Sequence, residues 1–154
     1  MINIIKCDYE NPKHTNAVKL LLNAYIADEM GDGTVLDEKT GDTLIKKLNS
    51  HERAIVLLAK DGDEFIGLLT AFENIATFKA KPMINVHDII VLKEYRGRGA
   101  GRRLMNAVVV EAKKRECARI TLEVREDNAA ARNLYKSMDF KQTQPKMLYL
   151  RREL

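Results

Sequence analysis

The stretch Ile89-Ile90-Val91-Leu92-Lys93-Glu94-Tyr95-Arg96-Gly97-Arg98-Gly99-Ala100-Gly101-Arg102-Arg103-Leu104-Met105 decides how this chain reads. An apolar run ends at Leu92 and a turn of glycines and arginines follows. Then Leu104, Met105, Val108 and Ala112 recur at the spacing of one helical face. In a strand, glycine turn and helix, backbone N–H groups can approach a ligand with no Cβ in the way. The helix N-terminus adds a partial positive charge, so the turn suits a phosphate or diphosphate. Arg96, Arg98, Arg102 and Arg103 supply further donors and charge. A P-loop is excluded, because Gly-Lys followed by Ser or Thr is missing. The dinucleotide fingerprint is excluded as well: Arg102 stands where its third glycine belongs, and the turn lies late in the chain.

Upstream of this stretch, Met83 to Leu92 reads as its strand. Asp61-Gly62-Asp63 joins two apolar runs, Ala54 to Lys60 and Glu64 to Phe72, as a hairpin. Helical spacing covers residues 14 to 28, through Ala17, Leu20, Leu21, Ala24 and Tyr25, and again Asp42 to Ser50. An acidic loop from Asp28 to Asp42 separates them, with Asp28, Glu29, Asp32, Asp37, Glu38 and Asp42 against Lys39. Ile2 to Cys7 reads as an edge strand.

Downstream, Arg119 to Arg125 alternates as a strand, with Glu123 on the face opposite Ile120, Leu122 and Val124. Asn128 to Met138 is helical, capped by Asp127 or Asn128. Two short tail strands follow, at Lys141 to Gln144 and Met147 to Arg151. The expected fold class is therefore α/β (α+β): a mixed, largely antiparallel sheet of about seven strands flanked by about four helices, in one domain spanning residues 1–154.

The totals bound the function. A chain of 154 residues with 45% hydrophobic and 31% charged side chains is an ordinary globular composition. The start is too short and polar for a signal peptide, and no apolar run reaches membrane-span length, so a cytoplasmic protein with no membrane partner is expected. Cys7 and Cys117 read as reduced core thiols. His14, His51 and His87 have no ligand spacing, which argues against a metal site. A net charge of +4 could serve nucleic acid, but the basic residues are scattered and aromatics are 6%, so nucleic acid is not the expected partner.

The strand, turn and helix resemble the acetyl-CoA motif of the GNAT superfamily, R/Q-x-x-G-x-G/A, with Arg96, Gly99 and Gly101 in its fixed positions. The resemblance continues through Leu122-Glu123-Val124-Arg125, Asn128-Ala129-Ala130-Ala131-Arg132-Asn133-Leu134-Tyr135 and Met138-Asp139-Phe140. Two residues depart from it: Lys93 stands where proline is frequent, and Asp139 where glycine is usual. The resemblance implies an N-acetyltransferase that moves the acetyl group of acetyl-CoA to a primary amine. A silent acetyl-CoA-binding regulatory module of the same fold is the alternative. The backbone of Ile89, Ile90 and Val91 would bind the pantetheine arm. The turn Arg96, Gly97, Arg98, Gly99, Ala100, Gly101 and Arg102 would hold the diphosphate, with Asn128 and Ala131 also against the coenzyme.

Acetyl transfer needs an acceptor for the amine proton and a donor for the leaving sulfur. Glu123 is the first choice of base, because the L-E-V-R run looks like that of ribosomal-protein alanine acetyltransferases. Asp88, His87 and Glu73 are its rivals. Tyr135, on one helix face with Asn128 and Ala131, is the expected acid. A phenol near pKa 10 gives up its proton to a thiolate near 8.5 only uphill, by about 2 kcal/mol, so Tyr135 fits a hydrogen-bond donor better than a full proton donor. The acidic stretch from Asp28 to Asp42 lies where GNAT enzymes often build the acceptor pocket. It could attract a cation such as a polyamine, an aminoglycoside or a lysine. The acceptor amine is not legible, and homodimerisation is left open.

Overall fold

The computed structural model describes residues 1–31 and 33–154. It divides into two compact units, Met1–Leu122 and Glu123–Leu154. The first unit runs β1 (Ile2–Lys6), α1 (Pro12–Ile26), α2 (Glu38–Ser50), β2 (Ala54–Asp61), β3 (Glu64–Ala76), β4 (Lys81–Val91), α3 (Ala100–Lys114) and β5 (Ile120–Leu122). The second contains α4 (Ala129–Lys136).

The sheet has the order β1-β2-β3-β4-β5. Its first three pairings are antiparallel, and β4–β5 is parallel, with Ile84, Asn85 and Val86 opposite Ile120, Thr121 and Leu122. Strict alternation divides the sheet's side chains between two faces. Val56, Leu58, Leu68 and Ile90 pack with Ala17, Val18, Leu21 and Leu22 of α1 and Leu48 of α2. On the other face α3 buries Leu104, Met105, Val108 and Ala112, the residues that its periodicity had marked. Gly67 allows that approach: a Cβ there would stand 2.9 Å from the Ile90 carbonyl and 3.3 Å from Leu104 Cδ1.

The helix starts follow cap chemistry. Asn11 Oδ1 accepts the Lys13 N–H at 3.0 Å, and Pro12 occupies the first turn of α1, where its missing donor costs nothing. Asp37 caps α2 by accepting the Thr40 N–H at 2.7 Å. That cap starts α2 four residues before the position that the acidic run suggests, and Gly41, read as loop, lies inside the helix.

The sheet has five strands rather than seven. Residues 141–151 carry no strand, because their alternating pattern supplies propensity without a partner's ladder. β5 is also shorter than expected, ending at Leu122, so Glu123 follows the strand instead of lying within it. Among the described residues no helix is long and apolar enough to cross a membrane.

Candidate active site

β4 carries the decisive irregularity. Ala71 pairs with Val86 and Thr70 with Asp88, which leaves His87 as an extra residue opposite no partner. Such a bulge shifts the parity of everything beyond it. Leu92 N–H donates to Ile66 O at 2.9 Å, so alternation directs the backbone groups of Ile90 and Asp88 towards β3. Ile89 and Val91 direct theirs to the opposite edge. β5 does not cover that edge, since its pairing stops at Val86, one residue before the bulge. The bulge thus ends the parallel ladder and exposes a stretch of strand edge to an extended ligand.

Beyond the end of β4, Gly97 has φ +75° and Gly99 φ +86°, left-handed values that nearly every other residue resists. A Cβ at either would meet nothing within 4 Å, so the glycines are required by the path of the chain and not by crowding. Gly99 is the N-cap of α3 and brings no side-chain cap. The first helical N–H groups, from Ala100 and Gly101, are left for an outside acceptor. Arg98 places its guanidinium 5.1 Å from the centre of the Tyr95 ring. The residues present fit a diphosphate: positive backbone dipole, open approach and basic neighbours.

Arg96, expected among the phosphate ligands, is bonded within the first unit. Its Nε donates to the Val91 carbonyl at 2.9 Å and its Nη2 to Asp28 Oδ2 at 2.5 Å.

The bulge also rearranges the candidate bases. Thr70 shares its face with Leu68 and Phe72, and its hydroxyl donates to the Asp88 carboxylate. His87 lies edge-on to Phe72, with ring centres 5.8 Å apart. Two consecutive residues, His87 and Asp88, therefore stand on the α1/α2 face, which regular alternation forbids. Glu73 faces α3 and is paired with Arg53 at 3.0 Å and Arg115 at 2.8 Å. Glu123 is exposed beyond β5, in the second unit.

Within the second unit, Asn128 is the α4 cap: its Oδ1 accepts the Ala131 N–H at 3.1 Å. Two of the expected coenzyme residues are thereby bonded to each other. Asp127, the other cap candidate, instead receives two hydrogen bonds from Arg125, at 2.9 and 2.7 Å. Tyr135 is buried, its ring 5.9 Å from that of Phe140. Asp139, at φ +64°, ends the helix with Phe140 N–H bonded to Tyr135 O at 3.0 Å and its own N–H to Lys136 O at 3.2 Å. This is the left-handed cap that glycine usually provides.

The acidic loop is mostly accounted for within the first unit. Asp28 is bound to Arg96, Asp37 caps α2, and Asp42 pairs with Lys19 at 2.7 Å. Glu29 and Glu38 are exposed, and Asp32 lies outside the described residues. Cys7 and Cys117 are free and half-buried at the margin of the core, and burial pushes the Cys7 thiol up to about 11. No cluster of metal-ligating side chains occurs among the described residues.

An open β4 edge thus leads into a doubly left-handed glycine turn and a helix with no side-chain cap, and residues 18–140 match the acetyltransferase (GNAT) family. The chain belongs to that family. An uncharacterized N-acetyltransferase of Bacillus subtilis is 28% identical to this GNAT chain over 96 residues, 62% of this chain and 64% of the relative. The match thus spans just under two thirds of that relative's length. A probable acetyltransferase of known structure superposes with a TM-score of 0.84 at 19% identity, covering 99% of this chain and 98% of its own. The aminoglycoside N-acetyltransferase AAC(6')-Iy, in complex with CoA, does so with a TM-score of 0.78 at 15% identity, covering 99% and 95%. Both structural likenesses are of fold.

Proposed function

We propose that this GNAT chain is a cytoplasmic, acetyl-CoA-dependent N-acetyltransferase acting on a primary amine. The observation that carries the proposal is the bulge at His87, which leaves the backbone of Ile89 and the Val91 N–H on an edge that β5 does not pair, upstream of Gly97 and Gly99. Ile89 to Val91 would bind the pantetheine amides as a strand binds its neighbour, and the N–H groups of Gly97 to Arg102 would bind the diphosphate. CoA in a fold neighbour supports this coenzyme. When bound, acetyl-CoA supplies an activated thioester.

The chain's own residues would do three things. A carboxylate accepts the amine proton, because only a neutral amine attacks. Glu123 holds that role by sequence resemblance; Asp88 gains it from the Thr70 hydroxyl that fixes its carboxylate on the α1/α2 face. Backbone N–H groups on the open edge of β4 are available to a developing negative oxygen. By the sequence resemblance, Tyr135 would donate a hydrogen bond to the leaving sulfur. The experiment is free-thiol release from acetyl-CoA across a panel of polyamines, aminoglycosides and lysine-bearing peptides. Acceptor-dependent release that collapses in Tyr135→Phe supports the reading; no release with any amine, despite CoA binding, leaves the silent module.

A further inference from the structure

Arg96 and Asp28 lie 68 positions apart, yet they form a single clamp across the first unit. The Asp28 turn is itself held on every side. Its N–H donates to Tyr25 O at 3.1 Å, its Oδ1 accepts the Met30 N–H at 3.1 Å, and its carbonyl accepts the Gly31 N–H at 2.8 Å. Gly31 folds so closely onto α1 that a Cβ would stand 2.1 Å from the Tyr25 carbonyl. The far end of the same loop is tied to α1 by Asn23, whose amide bonds the Leu36 carbonyl at 3.1 Å and N–H at 2.7 Å. Arg96 then carries this loop to the end of β4, through Val91, and to the first residue of the coenzyme turn.

We infer that Asp28 is a positioning residue: through Arg96 it fixes the α1–α2 loop to the coenzyme turn, so that coenzyme occupancy and loop arrangement are one equilibrium. The Arg96 guanidinium beside Asp28, with the Met30 N–H, holds that carboxyl below the usual range, which agrees with an engaged ion pair. In this assignment the motif's arginine acts as a strut, and the diphosphate is left to backbone N–H groups and the other arginines. The inference rests on the proposed coenzyme site and adds to it a route by which a filled turn shapes the acceptor side. Coupling of this kind is reciprocal: whatever CoA does to the loop, an ordered loop does for CoA.

The test is amide hydrogen exchange at Met30 and Gly31, with and without CoA, in wild type, Asp28→Asn, Arg96→Gln and the double variant. In wild type, CoA should slow exchange about fivefold or more. Each single variant should exchange faster and lose the CoA effect, and the double variant should match the singles, because one contact is being removed in each. CoA affinity, by calorimetry, should change by the same factor in both singles, within about threefold. If Arg96→Gln weakens CoA tenfold or more while Asp28→Asn leaves it unchanged, Arg96 is a phosphate ligand and the inference is overturned. Wild-type exchange indifferent to bound CoA overturns it too. A wild-type protein that binds no CoA at all removes the proposed function, and this inference with it.

Discussion

Arg115 Nη1 donates to Glu73 Oε2 at 2.8 Å, joining the C-terminal end of α3 to β3, while Arg115 Nη2 reaches Glu111 at 2.7 Å. Arg53 binds the other Glu73 oxygen at 3.0 Å, and Lys6 approaches Glu111 at 3.4 Å. A glutamate that a sequence reading offers as a base is thus the centre of a charge chain across the α3 face. Glu73→Gln should lower stability by about 1–2 kcal/mol, the loss of charge-assisted hydrogen bonds, with kcat nearly unchanged. Denaturant melts and thiol-release rates on the same preparation check it; lost turnover at unchanged stability would return Glu73 to the list of bases.

The same chain predicts an acid limb. Arg115 beside Glu111 holds its carboxyl below the ordinary range, helped by Lys6, and Arg96 does the same for Asp28. A folded-state pKa below the unfolded one means stability that is present above the unfolded carboxylate value, near pH 4, and lost as pH falls through the folded value. Melting temperature should be flat from neutral pH down to about 5 and then fall. Arg115→Met should make that fall shallower by removing the cation that depresses Glu111. A decline that begins near pH 6.5 would implicate histidine instead.

Gly99 tests the coenzyme turn. Its φ of +86° leaves open space around a hypothetical Cβ. Gly99→Ala should therefore cost only the backbone strain, about 1–2 kcal/mol in stability. Its effect on CoA should be larger in proportion, about tenfold or more in Kd, because the new methyl stands where the diphosphate must approach N–H groups. Thermal shift with and without CoA separates the two. Equal loss of stability in both conditions would mean that the ligand does not use this turn.

The parts of the fold that depend on local pattern were legible. Leu104, Met105, Val108 and Ala112 marked the buried face of α3, and Asp61-Gly62-Asp63 marked the hairpin, where Gly62 takes φ +60°. Asp139, standing where glycine is usual, takes the left-handed φ of +64° that such a position needs. What depends on pairing was not. A bulge leaves no mark in Val86-His87-Asp88-Ile89, because an extra residue in a strand changes register and not composition. Strict alternation would have set His87 and Asp88 on opposite faces. The tail's alternating residues suggested strands, but a strand exists only with a partner. The Asp28–Arg96 clamp joins residues far apart in sequence, and only the folded chain reveals that Asp28 is spent on it. The start of α2 does carry a local signal: Asp37, with Thr40 three residues on, is a cap inside an acidic run.

Tyr135 and the two candidate bases separate by kinetics. Tyr135→Phe should lower kcat roughly 10- to 100-fold, the value of one charge-assisted hydrogen bond of about 1.5–3 kcal/mol. Asp88→Asn and Glu123→Gln should differ in the pH–rate profile: the variant lacking the true base loses the acidic limb, while the other retains it at a similar rate. Thr70→Val should reproduce a milder form of the Asp88 effect only if Asp88 is the base, since Thr70 acts through that carboxylate.

Asp139 offers the cleanest stability prediction in the second unit. At φ +64° it pays the strain of a left-handed residue, though Asp bears it better than most. The helix end needs that conformation: Phe140 N–H reaches back to Tyr135 O, and the Asp139 N–H to Lys136 O. Asp139→Gly keeps both bonds without the Cβ clash, at the cost of more freedom in the unfolded chain, for a net gain of about 0.5 kcal/mol. Asp139→Val, β-branched and intolerant of positive φ, should lose about 1–2 kcal/mol. Because the two bonds anchor the turn directly after Tyr135, Asp139→Val should also lower kcat, whereas Asp139→Gly should not. Stability that falls in the glycine variant as much as in the valine variant would show that the aspartate side chain, not the backbone, holds this cap.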